Sequence, residues 1–168
     1  RYTIKGNDYR VGFDVVSHNL NNVITDKSNL EFVWDSKLRM KEKDGSVENK
    51  SSSIYYLLKD EVEYLKENGV DDKKEENGIP IKWISYKQQF FSTALIATEG
   101  DGFISSTMQT QTEKGEKDNY LRTMSSNISI PYDHEKNHYE YDMEFFFGPN
   151  KYAIISDYDL QMEEIIPL

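Results

Sequence analysis

Cysteine is absent from the 168-residue chain, so neither disulfides nor thiolate chemistry can hold or work the fold. Basic residues are in deficit, 20 Lys and Arg against 30 Asp and Glu, leaving a net charge of −10. That balance works against nucleic-acid backbones and anionic lipid headgroups, which need clustered cations to displace counterions, so no nucleic-acid partner is expected. Long apolar runs are also missing. The longest is Ile54-Tyr55-Tyr56-Leu57-Leu58, far short of the ~20 residues that a membrane-spanning helix needs. There is no Walker loop, no G-x-G-x-x-G and no G-x-S-x-G. No repeat period and no Pro-rich or Gly-Ser linker divides the chain, so a single domain over residues 1–168 is expected. The chain opens at Arg1 without Met or a signal segment, the expected look of a piece excised from a longer protein.

What is plentiful is aromatic. Tyr and Phe number 12 and 8, too much large apolar surface for a disordered chain despite 30% charged residues. At this length about 70% of the unfolded surface can be buried, enough for a real core without staples. Period-two alternation dominates. Leu30, Phe32, Trp34, Leu38 and Met40 share one strand face against Glu31, Asp35, Lys37, Arg39 and Lys41. Val11, Phe13 and Val15 alternate similarly, as do Tyr139, Tyr141, Met143, Phe145 and Phe147. Further strands are read at Ile54–Leu58, Ile79–Tyr86, Phe90–Ala97, Phe103–Thr112, Tyr120–Ile130 and Tyr152–Ser156. Asp44-Gly45, Asn68-Gly69, Asn77-Gly78, the run from Glu99 to Gly102, and Gly115 fall where alternation lapses and read as turns. The charged stretch Asp71–Glu76 reads as a solvated loop, and Lys59–Asn68 fits helix or strand equally. Ser156 to Asp159 matches a capping box, after which Tyr158, Met162 and Ile165 fall at helical spacing and Pro167 ends the element. The pattern predicts an antiparallel all-β sandwich or large open sheet with a short C-terminal amphipathic helix.

His134-Glu135-Lys136-Asn137-His138 spells the zinc-protease signature H-E-x-x-H, with Glu163 or Glu164 as nominal third ligand. That chemistry requires both imidazoles on one helical face. Here the segment lies between a strand ending at Pro131 and alternation resuming at Tyr139, so it reads as a hairpin loop and no metal site is expected. His18 stands alone in a polar stretch without a nearby nucleophile. Asp14 and Glu31 can be imagined as a sugar-facing acid and base, but with so many carboxylates only their separation in space would tell. No catalytic residue is assigned. In the aromatic-rich segment Ile81–Phe91, Trp83, Phe90 and Phe91 read first as core, with a groove for an extended peptide or a sugar as the alternative.

The runs Trp83-Ile84-Ser85-Tyr86-Lys87-Gln88-Gln89-Phe90-Phe91 and Phe147-Gly148-Pro149-Asn150-Lys151-Tyr152, in this order and spacing, are the carriers of a resemblance. The chain resembles the large first periplasmic domain of the YidC/Oxa/Alb family of membrane-protein insertases. The resemblance implies an antiparallel β-supersandwich like that of galactose mutarotase, placed between the first and second transmembrane helices on the periplasmic face of a Gram-negative inner membrane. It implies an accessory, non-catalytic scaffold with no cofactor. The implied partners are the Sec translocon accessory subunits SecD and SecF, together with nascent membrane proteins. Ser156–Leu168 then becomes the membrane-proximal segment, with Tyr158, Met162, Ile165 and Ile166 as the candidate partner interface. The acidic residues Asp157, Asp159, Glu163 and Glu164 favour packing on protein over lying on anionic lipid. The runner-up is a carbohydrate-binding or carbohydrate-processing sandwich, and the third reading is the zinc hydrolase.

Overall fold

The computed structural model describes residues 1–24, 29–113 and 119–167. The turn expected at Gly115 lies outside them. Ten strands form one antiparallel sheet: β1 (Tyr2–Ile4), β2 (Arg10–His18), β3 (Leu30–Arg39), β4 (Ser53–Leu58), β5 (Glu61–Tyr64), β6 (Asp72–Lys87), β7 (Phe91–Ala97), β8 (Phe103–Thr112), β9 (Tyr120–Ile130) and β10 (His138–Pro149). Their order is β1-β2-β10-β7-β6-β8-β9-β3, with β4 and β5 branching from β6. This is the expected all-β architecture, curled on itself.

The curl begins at a seam inside β6. Gly78 lies at φ 82 and Pro80 has no N–H to donate. The register on β8 shifts between Asn77 and Ile81, and beyond the seam the strand is flanked by β4 and β7. One long strand thus serves both halves of the sheet. The curl brings β2 and β3, far apart in strand order, close enough for the Phe13 and Phe32 rings to lie 5.4 Å apart. Tyr86 of β6 donates to the backbone carbonyl of Trp34 on β3 at 2.8 Å and stacks on its indole at 3.8 Å. Inside the curl lies the main core, including Ile54, Ile81, Leu95, Phe103, Met108, Met124 and Ile128. A second core forms on the outer face, where Trp83, Ile96 and Phe146 are covered by Ile155, Met162 and Ile165 of the C-terminal segment.

Several elements differ from the sequence-based expectation. Residues 72–76 are strand, not loop: the backbone pairs with β8 from Asp72↔Thr110 to Glu76↔Ser106. A pairing backbone needs no apolar side chains, and charge on both faces hides the alternation. Lys59–Asn68 begins as a hairpin, with Leu58 opposite Glu61 and Lys59 in the turn at φ 58. Asp44-Gly45 opens helix α1 (Gly45–Ser51), since Asp44 Oδ1 accepts from the Ser46 N–H at 3.0 Å as an N-cap. Tyr152–Ser156 is not a strand. Residues Tyr152–Ile155 form helix α2, continued by 3-10 turns at Ser156–Tyr158 and Met162–Ile165. The capping box at Ser156 is not made. Ser156 Oγ instead donates back to the Tyr152 carbonyl at 2.8 Å, and left-handed residues Asp159 and Gln161 break the helix into turns.

Candidate functional site

The alternation of β2, β3, β7 and β10 points Phe13, Phe32, Trp34, Phe91, Phe145 and Phe147 to the same concave side. Rings there are in sequence contact. Tyr2 stacks on Phe13 at 5.2 Å, Phe13 meets Phe145 at 5.4 Å, Phe145 meets Trp34 edge-on at 5.5 Å and stacks on Phe147 at 5.3 Å. Such spacings are those at which ring quadrupoles attract. The ladder is not closed over. Phe147 keeps 51% and Phe91 52% of its surface exposed, and since Phe147 pairs with Thr93 in register, Phe91 is its diagonal neighbour on β7. Lys41, from the loop after β3, places Nζ 5.8 Å from the Phe91 ring centre. The result is an aromatic mouth at one end of the curl, apolar below and cationic at its lip.

Of the residues singled out as a groove, only Phe91 joins this mouth. Trp83 is fully buried on the opposite face, its indole Nε1–H donating to the Leu160 carbonyl at 2.7 Å, and Phe90 is an exposed residue of the turn before β7. In the sequence Phe145 and Trp34 show only strand alternation, and Phe147 adds to this its place at the head of the Phe147–Tyr152 run. Their grouping depends on the curl, which no local pattern encodes. Of the proposed partner interface, Met162 and Ile165 are covered by the domain itself, and Tyr158 and Ile166 are half-exposed at the edge of the same cluster.

The H-E-x-x-H segment is a hairpin turn, with His138 opening β10. His18 is not alone: it lies directly opposite His138 in register, with the two Nδ1 atoms 3.1 Å apart. Asp14 and Glu31 do not meet as an acid–base pair, because each lies on the outer side of its own half of the curl, opposite Phe13 and Phe32 respectively. Asp14 instead stands opposite Asp142, and these two with Glu140 hold carboxylate oxygens within 4.8 Å of one another. Arg1 binds the group, donating from Nε to Asp14 Oδ2 at 2.8 Å and from Nη2 to Glu140. Burial, and next the charges of Asp14 and Glu99, push the Asp142 carboxyl up to about 6. A shallow hollow of about 200 Å³ adjoins these residues, edged also by Lys5, Asp8 and Arg10.

Beside the C-terminal turns, Lys87 is buried and donates to Glu67 Oε1 at 2.9 Å, with Tyr55 OH donating to the same oxygen at 2.7 Å. Both bonds hold Tyr55 and β6 against the loop after β5. No helix among the described residues is long and apolar enough to cross a membrane.

Comparison with known proteins gives the family. The family model described as the YidC periplasmic domain matches residues 1–168. The membrane protein insertase YidC of Parabacteroides distasonis is 32% identical over 99% of the chain, which covers 27% of that relative. The corresponding insertase of Azobacteroides pseudotrichonymphae is 31% identical over 99% of the chain and 28% of its own length, and that of Porphyromonas gingivalis 29% identical over 96% and 25%. The chain thus spans roughly a quarter of the length of these relatives. With the match running from the first residue to the last, the chain belongs to the YidC periplasmic domain family.

Proposed function

We propose that this domain is the non-catalytic accessory module of a membrane-protein insertase in a Gram-negative inner membrane, and that its aromatic mouth receives an extended apolar stretch of a client chain. The domain would sit on the periplasmic side, between the first and second transmembrane helices. The observation that carries the binding role is the exposure of Phe91 and Phe147 directly above the half-buried Phe145 and Trp34. Large rings left open on a concave surface gain most by covering an apolar segment. A non-catalytic role is supported by the state of the carboxylate cluster, since Arg1 engages Asp14 and Glu140. Docking of SecD or SecF is assigned to the half-exposed rim formed by Tyr158 and Ile166, beside the buried Met162 and Ile165.

The test is titration of the domain with a short extended apolar peptide and, separately, with hexoses, read by amide chemical shifts and tryptophan emission. Saturable shifts centred on Phe91, Phe145 and Phe147 with the peptide, lost in Phe91→Ser/Phe147→Ser, are expected. Hexose binding at these rings without peptide binding would replace this function with the carbohydrate reading.

A further inference from the structure

We infer that His18 and His138 form a two-histidine site for a borderline divalent transition cation, Zn²⁺ or Cu²⁺, at the open end of the β2–β10 pair. The site is independent of the aromatic mouth and of the client-binding proposal.

The geometry is set by the sheet. His18 closes β2 and His138 opens β10, and the two are partners in register. Just beyond them the strand ends are clamped, with the Asn19 N–H donating to the Asn137 carbonyl at 2.6 Å and Asn21 Nδ2 donating to Asn137 Oδ1 at 2.9 Å. The imidazoles lie 4.6 Å between centres and turn their Nδ1 atoms to 3.1 Å from each other. Zn–N bonds of about 2.0–2.1 Å would span that gap at an N–metal–N angle of roughly 95–100°, between the square-planar and tetrahedral values. Both rings are exposed, so water can complete the coordination.

The surroundings favour a cation. Glu140 Oε2 is 3.9 Å from His138 Nε2. That carboxylate stands on the side where the outer-shell carboxylates of metal-bound histidines stand, one side-chain adjustment from a hydrogen bond to Nε2. The same outer face carries Asp14 opposite Asp142 two pairs further along the ladder, with Glu140 between. Within this cluster three carboxylates stand against one guanidinium, that of Arg1, which leaves it net negative and concentrates divalent cations near the imidazoles. The imidazole pair is what selects a transition ion over Mg²⁺ or Ca²⁺, which prefer oxygen ligands. The partner of His138 is therefore the histidine across the strands, where H-E-x-x-H spacing pointed to His134.

The test is calorimetric titration of this chain with ZnCl2, CuCl2 and MgCl2 at pH 7.5, with melting curves and circular dichroism to verify that each variant folds. Saturable 1:1 binding of Zn²⁺ and Cu²⁺ that raises the melting temperature is expected, tighter for Cu²⁺. His18→Ala and His138→Ala should each weaken binding at least tenfold, and Glu140→Gln about tenfold. His134→Ala should leave it unchanged. Absence of saturable Zn²⁺ or Cu²⁺ binding would overturn the site, as would binding indifferent to both His18 and His138. A loss in His134→Ala equal to that in His138→Ala would move the site into the hairpin, and stronger binding of Mg²⁺ would move it to the carboxylates.

Discussion

Met162→Ala tests whether the C-terminal segment is a structural clasp or a surface held ready for another protein. Met162 is 0% exposed and lies in the cluster formed by Trp83, Ile96, Phe146, Ile155 and Ile165. Truncating a fully buried methionine to alanine removes its transfer free energy and leaves a cavity, together about 2–5 kcal/mol. The segment is short and preceded by the left-handed residues Asp159 and Gln161, so it can settle slightly into the gap, and we expect about 3 kcal/mol. For a protein of this size that corresponds to a drop in melting temperature of roughly 6–12 °C. The assay is urea unfolding followed by far-ultraviolet circular dichroism and by fluorescence in a Trp34→Phe background, which leaves Trp83 as the only one of the two tryptophans. Because the Trp83 indole is capped by the Leu160 carbonyl at 2.7 Å, its emission reports the clasp. A red shift at lower urea than the circular dichroism transition would mean that the segment peels first. A loss below about 1 kcal/mol with unchanged Trp83 emission would refute the packing and return Met162 and Ile165 to the role of a free interface.

Gly102→Ala should cost about 2 kcal/mol, because an added Cβ would sit 2.4 Å from the Ile81 carbonyl oxygen at a residue with φ 130, measured as a fall in urea midpoint. Glu67→Leu should cost about 2 kcal/mol by stranding the buried Lys87 ammonium, and Glu67→Leu/Lys87→Met should recover most of it in a double-mutant cycle. The folded Asp142 carboxyl keeps its proton up to about pH 6, whereas the unfolded chain releases it near 3.8. The unfolded state therefore binds fewer protons in that window, and this group's contribution falls as pH rises through it. Asp142→Asn should remove that slope and gain about 1 kcal/mol at pH 7.5, after allowance for solvent screening, with little change at pH 4. Equal urea midpoints for wild type and variant at pH 7.5 would contradict the burial of Asp142 and its crowding by Asp14 and Glu99.

Most strands were legible because one wet face forces alternation, as in Leu30–Arg39 and Tyr139–Phe147. The failures have a common cause. Asp72–Glu76 is charged on both faces and carries no periodic signal, although its backbone pairs fully with β8. Tyr152–Ile155 looks like strand by composition, yet it follows Pro149 at the end of β10 and its Ile155 is drawn into the Trp83 cluster. The aromatic mouth and the His18–His138 pair join residues separated by more than 100 positions, such as Phe13 with Phe145 and His18 with His138. Local periodicity identifies such residues as strand and cannot assign their partners. Those partners are fixed by the strand order and by the seam at Gly78–Pro80.

The central claim, that the aromatic mouth meets client chains, is most directly tested by placing a photoreactive phenylalanine analogue at position 147 of the full-length insertase during synthesis of a membrane protein. The account predicts cross-links from position 147 and from position 91 to the client, and none from position 33, which is exposed on the opposite side of β3. Equal client cross-linking from positions 33 and 147, or none from 147 while insertion proceeds normally, would contradict it.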